Sequence, residues 1–219
     1  MKKSSILILI IICLVGCKKG SNETTITGEI KGLGTDTLYL YGMDELYDRI
    51  DTIYVENDKF SYTTSVDTIT SAYLLLKNRI EYPVFLDKGN KIKIKGDTIN
   101  LNFLTISGNI YNEEFTDFQK ALEDPADPSE KAGEETVDKR TTVEKANTAE
   151  EMAEEFILQH HSSYVSLYLL DKYFVQKETP DFSKIKKLVE VMTGVLQDKP
   201  YIERLNETIT QAEKSEIGK

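Results

Sequence analysis

The residue types that most often act as nucleophiles, general bases or metal ligands are scarce in this chain. It has two histidines, His160 and His161, and two cysteines, Cys13 and Cys17. Adjacent side chains on a helix point about 100° apart, so the two histidines cannot hold one metal ion together. Neither has an acidic residue or a cysteine four positions away. We therefore expect a polar helix end at this pair rather than a metal site.

Two charged clusters are candidate binding sites. Asp124 and Asp127 lie among acidic neighbours but lack the aspartate and glycine order of a calcium loop, which favours a solvated charge run. Lys91, Lys93 and Lys95 share one face of a predicted strand. We expect that face to be an outer or edge surface kept soluble by its charge, and a small anion site is the alternative. The sequence thus predicts no catalytic residue, no cofactor and no metal ligand.

Twelve tyrosines and no tryptophan raise the possibility of sugar binding, because sugars stack on aromatic rings. Five of the tyrosines lie in predicted strands, where tyrosine is a good strand former. They are Tyr39, Tyr41, Tyr54, Tyr62 and Tyr73. The strand interpretation is therefore preferred, and carbohydrate binding remains an alternative.

The N-terminal segment has the pattern of a secretory signal peptide. Two lysines at positions 2 and 3 precede an apolar run from Ile6 to Gly16, and small residues follow just before a cysteine. As a helix, residues 5–16 would be about 18 Å long, whereas the bilayer core is about 30 Å thick. The length therefore argues against a permanent membrane span.

Residues 14–17, LVGC, resemble the lipobox of bacterial lipoproteins. The resemblance implies that residues 1–16 are removed and that Cys17 becomes an acylated N-terminus, which is the only lipidation site we predict. Several acyl chains would anchor the protein stably in a membrane. The mature chain would then have no disulfide, no CxxC pair and no free thiolate.

The charge of the chain restricts its partners. It has 27 basic and 37 acidic side chains and a formal net charge of −10, and removal of residues 1–16 would take away two lysines and no acid. Nucleic-acid binding depends on neutralising phosphates with Lys and Arg, so we expect no nucleic-acid partner. The same charge disfavours a protein that lies flat on anionic lipid.

The pattern of the mature chain predicts an α+β protein. After a tether over 17–24, residues 25–110 contain about eight short strands with turn residues between them, which is typical of an antiparallel sandwich or barrel. No helical pattern of sufficient length separates the strands, so parallel βαβ units are not expected.

Helical patterns follow the strands. Phe115, Phe118 and Leu122 form one face of a helix over 111–122, and 123–148 has the composition of an acidic linker. A small helical unit is predicted over 149–215. It contains a helix with Pro180 at its first position, whose apolar face extends to Leu196, and a last helix that begins at Pro200.

Three strand motifs are similar to a known family: ITGEIKGLGTDTLYLY (26–41), YPVFLDKGNKIKIKGD (82–97) and LTISGN (104–109). They resemble domain of unknown function 4369, which stands at the N-terminus of many Bacteroidota lipoproteins. In those proteins a helical segment, often with a motif like HHSSYVSLYLL (160–170), precedes a thioredoxin-like domain. Here the EIGK of residues 216–219 resembles the lead-in to that domain, and no redox CxxC is present to carry its activity.

The resemblance implies that the protein is located in the cell envelope. Lys18 and Lys19 follow Cys17, whereas surface-exported relatives tend to have acidic residues there, so we expect the periplasmic side of the outer membrane. The expected function is a non-enzymatic module that binds or positions a protein partner, such as a thioredoxin-like envelope protein. A truncated thiol-disulfide oxidoreductase and a small-ligand or glycan binder are the alternatives.

Overall fold

A computed structural model describes residues 22–43, 46–123 and 142–217. The strands are β1 (Glu23–Lys31), β2 (Asp36–Gly42), β3 (Ile50–Glu56), β4 (Lys59–Ser65), β5 (Thr70–Leu75), β6 (Glu81–Leu86), β7 (Lys91–Asp97) and β8 (Thr105–Ser107). The helices are α1 (Ile110–Glu123), α2 (Thr142–Gln159), α3 (Tyr164–Leu170), α4 (Phe182–Val191) and α5 (Pro200–Ile217). The predicted signal peptide, Cys17, Asp124 and Asp127 lie outside the described residues.

The eight strands form one nearly closed, barrel-like sheet, followed by helices, which confirms the predicted α+β class. The strand order is β6-β5-β2-β3-β4-β1-β7-β8. All neighbouring strands are antiparallel except β1 and β7, which pair in parallel from Thr25 opposite Lys91 to Lys31 opposite Asp97. Five strands, rather than a helix, connect this parallel pair. The sheet is therefore mixed, whereas an antiparallel one was expected.

Alternation along the strands fills the interior of the barrel. Ile26 and Ile30 of β1 and Ile92 and Ile94 of β7 are buried, while Thr27, Glu29 and Lys93 face outward. Gly28 interrupts the apolar series because the ring of Phe60, its partner on β4, occupies the space that a Cβ would take. The glycine thus lets an aromatic side chain lie across the backbone of β1.

Asn57 and Asp58 are among the turn residues expected between strands, and they form a two-residue hairpin loop between β3 and β4. Both residues have a positive φ, 51° for Asn57 and 69° for Asp58, as a type I′ turn requires. Glu56 pairs with Lys59 directly across the loop. Asx side chains tolerate this left-handed backbone better than most residues do, which explains the two residues found here.

The barrel is not closed by backbone pairing between β6 and β8, and side chains of α1 bridge this gap, which we call the seam. Asn112 accepts a hydrogen bond from Phe85 N (3.0 Å) and donates to Phe85 O (2.8 Å) on β6. Thr116 Oγ1 accepts from Ile106 N and donates to Ile106 O on β8, both at 3.0 Å. Asn112 and Thr116 are buried, so each edge strand finds in a side chain the partners that a ninth strand would supply.

Two residues of β6 complete the seam. Tyr82 Oη donates to Leu104 O (2.8 Å) and accepts from Leu104 N (3.0 Å), just before β8. The backbone of Phe85 points into the seam, so Pro83, two residues earlier, faces it as well. Proline has no N–H to satisfy, and this suits it to an edge strand.

The start of α1 is fixed against the same edges. Asn109 Oδ1 accepts from the backbone N–H of Asn112 (3.0 Å), which is the N-cap arrangement. Its Nδ2 donates to Phe85 O at 2.8 Å. Gly108 has a φ of 113°, and a Cβ there would overlap the carbonyl of Lys91. A glycine is therefore required where the chain turns from β8 into α1.

The barrel and the helices share one continuous hydrophobic core. Phe115 of α1 packs edge-on against Tyr82 (5.7 Å between ring centroids) and Phe85 (6.4 Å) of the barrel, and against Tyr168 of α3 (5.2 Å). Tyr73 of β5 also reaches Tyr168, at 6.4 Å. The predicted helical unit is thus packed on the barrel through the rings around Phe115.

The helix boundaries correct two expectations. α2 begins at Thr142, so residues 142–148 of the predicted linker are helical, because they contain good helix formers and continue a helix that is packed further along. α4 begins after Asp181, whose side chain accepts from Lys184 N (3.0 Å) and so caps the helix. Pro180 therefore precedes the cap rather than occupying the first helical position. α4 ends at Val191, and α5 begins at Pro200 as predicted.

None of the helices formed by the described residues is long and apolar enough to cross a membrane.

We predict that Asn112→Ala destabilises the protein by about 1–3 kcal/mol, because Phe85 N is left buried without an acceptor. Urea unfolding followed by circular dichroism measures the change. Asn206→Ala, the same substitution at an exposed position of α5, should stay within about 0.5 kcal/mol. Equal effects of the two substitutions would contradict the role of Asn112 at the seam.

We predict that Thr116→Val costs about 1–3 kcal/mol as well, because it preserves the shape of the side chain but removes both partners of Ile106. Thr116→Ser keeps the hydroxyl and should restore most of the lost stability. Thermal unfolding of the three proteins gives the comparison. A Ser variant no more stable than the Val variant would show that the hydroxyl is not what β8 needs.

Candidate functional site

The two histidines lie at a corner between α2 and α3. His160 stacks on Phe156 with ring centroids 4.1 Å apart, and its Nδ1 lies 3.4 Å from Glu114 of α1. Ser163 Oγ donates to the other oxygen of Glu114 at 2.5 Å. A serine, a histidine and a carboxylate therefore meet at this corner, which the sequence pattern did not suggest.

The order of these three groups is wrong for nucleophilic catalysis. In a catalytic triad the histidine lies between the serine and the carboxylate, whereas here Glu114 lies between Ser163 and His160. Ser163 is also buried, and its Oγ accepts from Val165 N (3.2 Å) as the cap of α3. The contacts of these three side chains hold α1 against the end of α2 and the start of α3, which is a structural role.

The backbone of the histidine pair supports the same interpretation. Ser166 Oγ donates to His160 O at 2.7 Å, and Thr193 N donates to His161 O at 3.0 Å. α2 ends at Gln159, one residue before the pair. The HHSS part of the motif thus ends one helix, begins the next and connects both to the segment after α4.

A second cluster lies where the helices meet the barrel. Tyr201 Oη of α5 donates to Asp171 Oδ1 at 2.5 Å, and Gln176 Nε2 donates to Asp171 Oδ2 at 2.5 Å. Burial raises the pKa of Tyr73 to about 12, and the charge of Asp171 adds to this shift. Burial likewise raises the pKa of Tyr168 and Tyr201. These phenols therefore stay protonated over the physiological range.

The chain after α3 forms a π-helical turn, Asp171–Val175, of a kind often found at functional sites. Lys172 Nζ lies 3.0 Å from Tyr168 Oη and 5.9 Å from the ring centroid of Tyr173. Lys172 is an exposed residue overall, but burial of its ammonium end lowers its pKa. The turn thus brings a lysine and two tyrosines together.

The cavity at this junction has a volume of ≈ 40 Å³, which is enough for about one water molecule. Pockets for small molecules are about 300–1,000 Å³. Its lining residues are Met43, Ser71, Leu167, Tyr168, Asp171 and Tyr201. The polar residues at this junction are therefore better explained as contacts that hold the helices on the barrel than as a substrate site.

A third cluster lies at the end of the barrel where the chain enters it. Tyr47 Oη and Arg49 Nε both donate to Asp51 Oδ2, the latter at 3.0 Å, and Arg49 Nη2 donates to Thr64 Oγ1 and to the carbonyl of Ser65 (3.2 Å). Burial alone would raise the pKa of Asp51, but hydrogen bonds from Tyr47, Tyr62 and Arg49 outweigh it and hold that pKa below its usual range. This network ties the segment before β3 to the ends of β3 and β4.

The structure also places the other residues that the sequence singled out. Lys91, Lys93 and Lys95 are exposed on β7, which lies between β1 and β8, so they form an outer face and not an edge. The five tyrosines assigned to strands are all in strands. Across residues 22–43, 46–123 and 142–217, no group of three or more His, Cys, Asp or Glu side chains is placed to hold a metal ion.

The barrel, with α1 in its seam, is a recognisable type of domain. A comparison with protein families identifies it. Residues 24–115 match the family model described as Domain of unknown function (DUF4369). The match confirms, for these residues, the domain that the strand motifs predicted. It covers the eight strands and the first part of α1. No curated protein and no solved structure matched the chain.

We predict that Asp51→Asn destabilises the protein at pH 7 and that the difference from the wild type shrinks in acid. A carboxyl group whose pKa is lowered on folding contributes stability above its unfolded pKa of about 3.9, and this is lost as the pH falls through the folded pKa. Urea unfolding at neutral pH and below about pH 3 tests this. Asp198→Asn, at an exposed position, is the control. If the free energies of unfolding of wild type and Asp51→Asn differ by the same amount at both pH values, the prediction is refuted.

Proposed function

We propose that this protein is a non-catalytic module of the cell envelope, anchored through an acylated Cys17, that binds or positions a protein partner. The observation that carries the proposal is the continuous core between the barrel and the helices. Two units that share a core move as one body, so a partner bound to the helices would be held at a fixed place relative to the barrel. The lipobox resemblance of residues 14–17 supports the anchor.

The resemblance of the motif at 160–170 to lipoproteins with a thioredoxin-like domain favours a thioredoxin-like partner. In those proteins the helical segment leads into that domain, so the helical unit is the surface on which we expect such a partner. Leu158 of α2 and Val195 after α4 are apolar and 47% and 57% exposed. Apolar side chains at this exposure are available for contact with another protein.

A glycan-binding function is the second candidate, and one surface of the barrel favours it. Tyr39 and Tyr54 face outward on the neighbouring strands β2 and β3 and are 41% and 73% exposed. Thr37 and Thr52, which pair with Tyr54 and Tyr39, place hydroxyls beside the rings. Exposed rings with adjacent hydroxyls are suited to stacking on and hydrogen-bonding to a sugar.

We predict that the full chain incorporates a radiolabelled fatty acid in a bacterial host and that Cys17→Ala abolishes this labelling and leaves the chain unprocessed. In-cell crosslinking of the acylated chain should recover a thioredoxin-like envelope protein. Leu158→Ser with Val195→Ser should abolish the crosslink without changing the melting temperature, because both side chains are exposed.

Ile50→Ser with Tyr54→Ser, an exposed pair on the barrel, is the control and should leave the crosslink intact. Unchanged crosslinking in the Leu158 and Val195 variant would refute the helical surface. If the chain yields no crosslinked protein, and oligosaccharides raise its melting temperature only while Tyr54 is present, the glycan-binding function replaces the proposal.

A further inference from the structure

One surface of the barrel differs in charge from the rest of the chain. It consists of the outward side chains of four adjacent strands, and we call it the lysine–hydroxyl face. Its members are Lys59, Ser61, Thr63 and Ser65 of β4, Glu23, Thr25, Thr27, Glu29 and Lys31 of β1, Lys91, Lys93, Lys95 and Asp97 of β7, and Thr105 and Ser107 of β8. The face has five lysines and three carboxylates and is therefore positive, although the whole chain has a net charge of −10.

The strand register brings these side chains together. Lys93 lies between Thr27 on one side and Ser107 on the other, and Lys95 lies beside Glu29 and Thr105. Successive lysines on β7 are about 6.7 Å apart along the strand. Their neighbours are mostly short hydroxyl side chains, above which the longer lysines project. None of the ion pairs among the described residues involves the three lysines of β7.

The face begins where the chain enters the barrel. Thr25 pairs with Lys91, and its N–H donates to Asn90 O at 3.0 Å. Cys17 precedes Thr25 by eight residues, which span at most about 28 Å when fully extended. An acyl anchor on Cys17 would therefore keep this face close to the membrane surface.

We infer that the lysine–hydroxyl face lies against the phosphate groups of anionic phospholipids in the membrane that holds the acyl anchor. The inference rests on the proposed function. Ammonium groups and hydroxyls are both donors to phosphate oxygens, and an acyl chain combined with basic side chains binds a membrane more firmly than either alone. The acidic remainder of the chain is repelled by the same surface, so the barrel takes up one orientation with the helical unit away from the lipid.

The test uses the acylated full chain in two kinds of vesicle, phosphatidylcholine alone and phosphatidylcholine mixed with phosphatidylglycerol. A water-soluble acetylating reagent labels exposed lysines, and mass spectrometry gives the rate at each position. We expect Lys91, Lys93 and Lys95 to be labelled several-fold more slowly in the anionic vesicles. Lys187 and Lys214, which are exposed in the helical unit, should be labelled equally in both. High salt should remove the difference.

Two variants with the same change of charge sharpen the test. A lysine near an anionic surface contributes about fivefold to the docking equilibrium, so Lys93→Gln with Lys95→Gln should shift it by about 25-fold and expose Lys91 to the reagent. Lys187→Gln with Lys214→Gln should leave the protection of Lys91 unchanged. Both pairs are exposed, so the melting temperature should not change and serves as the folding control.

The outcomes separate the two proposals. If the acylated chain stays on both kinds of vesicle but Lys91 is labelled equally on them, or if both variant pairs affect Lys91 alike, the inference fails and the anchor stands. If the chain is not acylated and stays on neither vesicle, the proposed anchor fails first. If added inorganic phosphate alone protects Lys91, Lys93 and Lys95 on phosphatidylcholine vesicles, the ligand of the face is a soluble anion and not a phospholipid. That result would also overturn the inference.

Discussion

The structure depends on how the seam between β6 and β8 is satisfied. The edge groups of Phe85, Leu104 and Ile106 are buried there, and a buried N–H without a partner costs about 1–3 kcal/mol. A barrel usually satisfies such groups by pairing its last strand with its first. Here the partners are side chains, chiefly Asn112 and Thr116 of α1. A helix can do this only when its polar residues are spaced to meet both edges.

This constraint connects the two halves of the molecule. Because α1 must stay in the seam, the stripe beside its polar residues is fixed in position, and Phe115 and Phe118 of that stripe pack against Tyr168 and Phe156 of the helical unit. Glu114 of the same helix accepts a hydrogen bond from Ser163 at the corner. The helices are therefore arranged around a helix whose place is set by the barrel, which explains why one core runs through both halves.

Much of the barrel could be predicted from the sequence, because alternation gives each strand its inner and outer face. The parallel pairing of β1 with β7 could not, since nothing local specifies which distant strand a given strand joins. The seam is nevertheless visible in the sequence as a polar stripe on α1. Asn112, Thr116 and Gln119 recur at i, i+4 and i+7 beside the apolar stripe of Phe115 and Phe118. The corner at His160 and Ser163 was missed because Glu114 is remote in sequence.

The central place of β1 in the sheet affects how the chain can fold as it is made. β1 is synthesised before both of its neighbours in the sheet, β4 and β7, and β7 begins only at Lys91. Pairings between such distant segments form slowly, because a long loop must close first. During that time Ile26 and Ile30 would be exposed on an unpaired strand, a state in which chains associate wrongly. The threonines and glutamates that alternate with them keep the unpaired strand hydrated until β4 and β7 have been made and can pair with it.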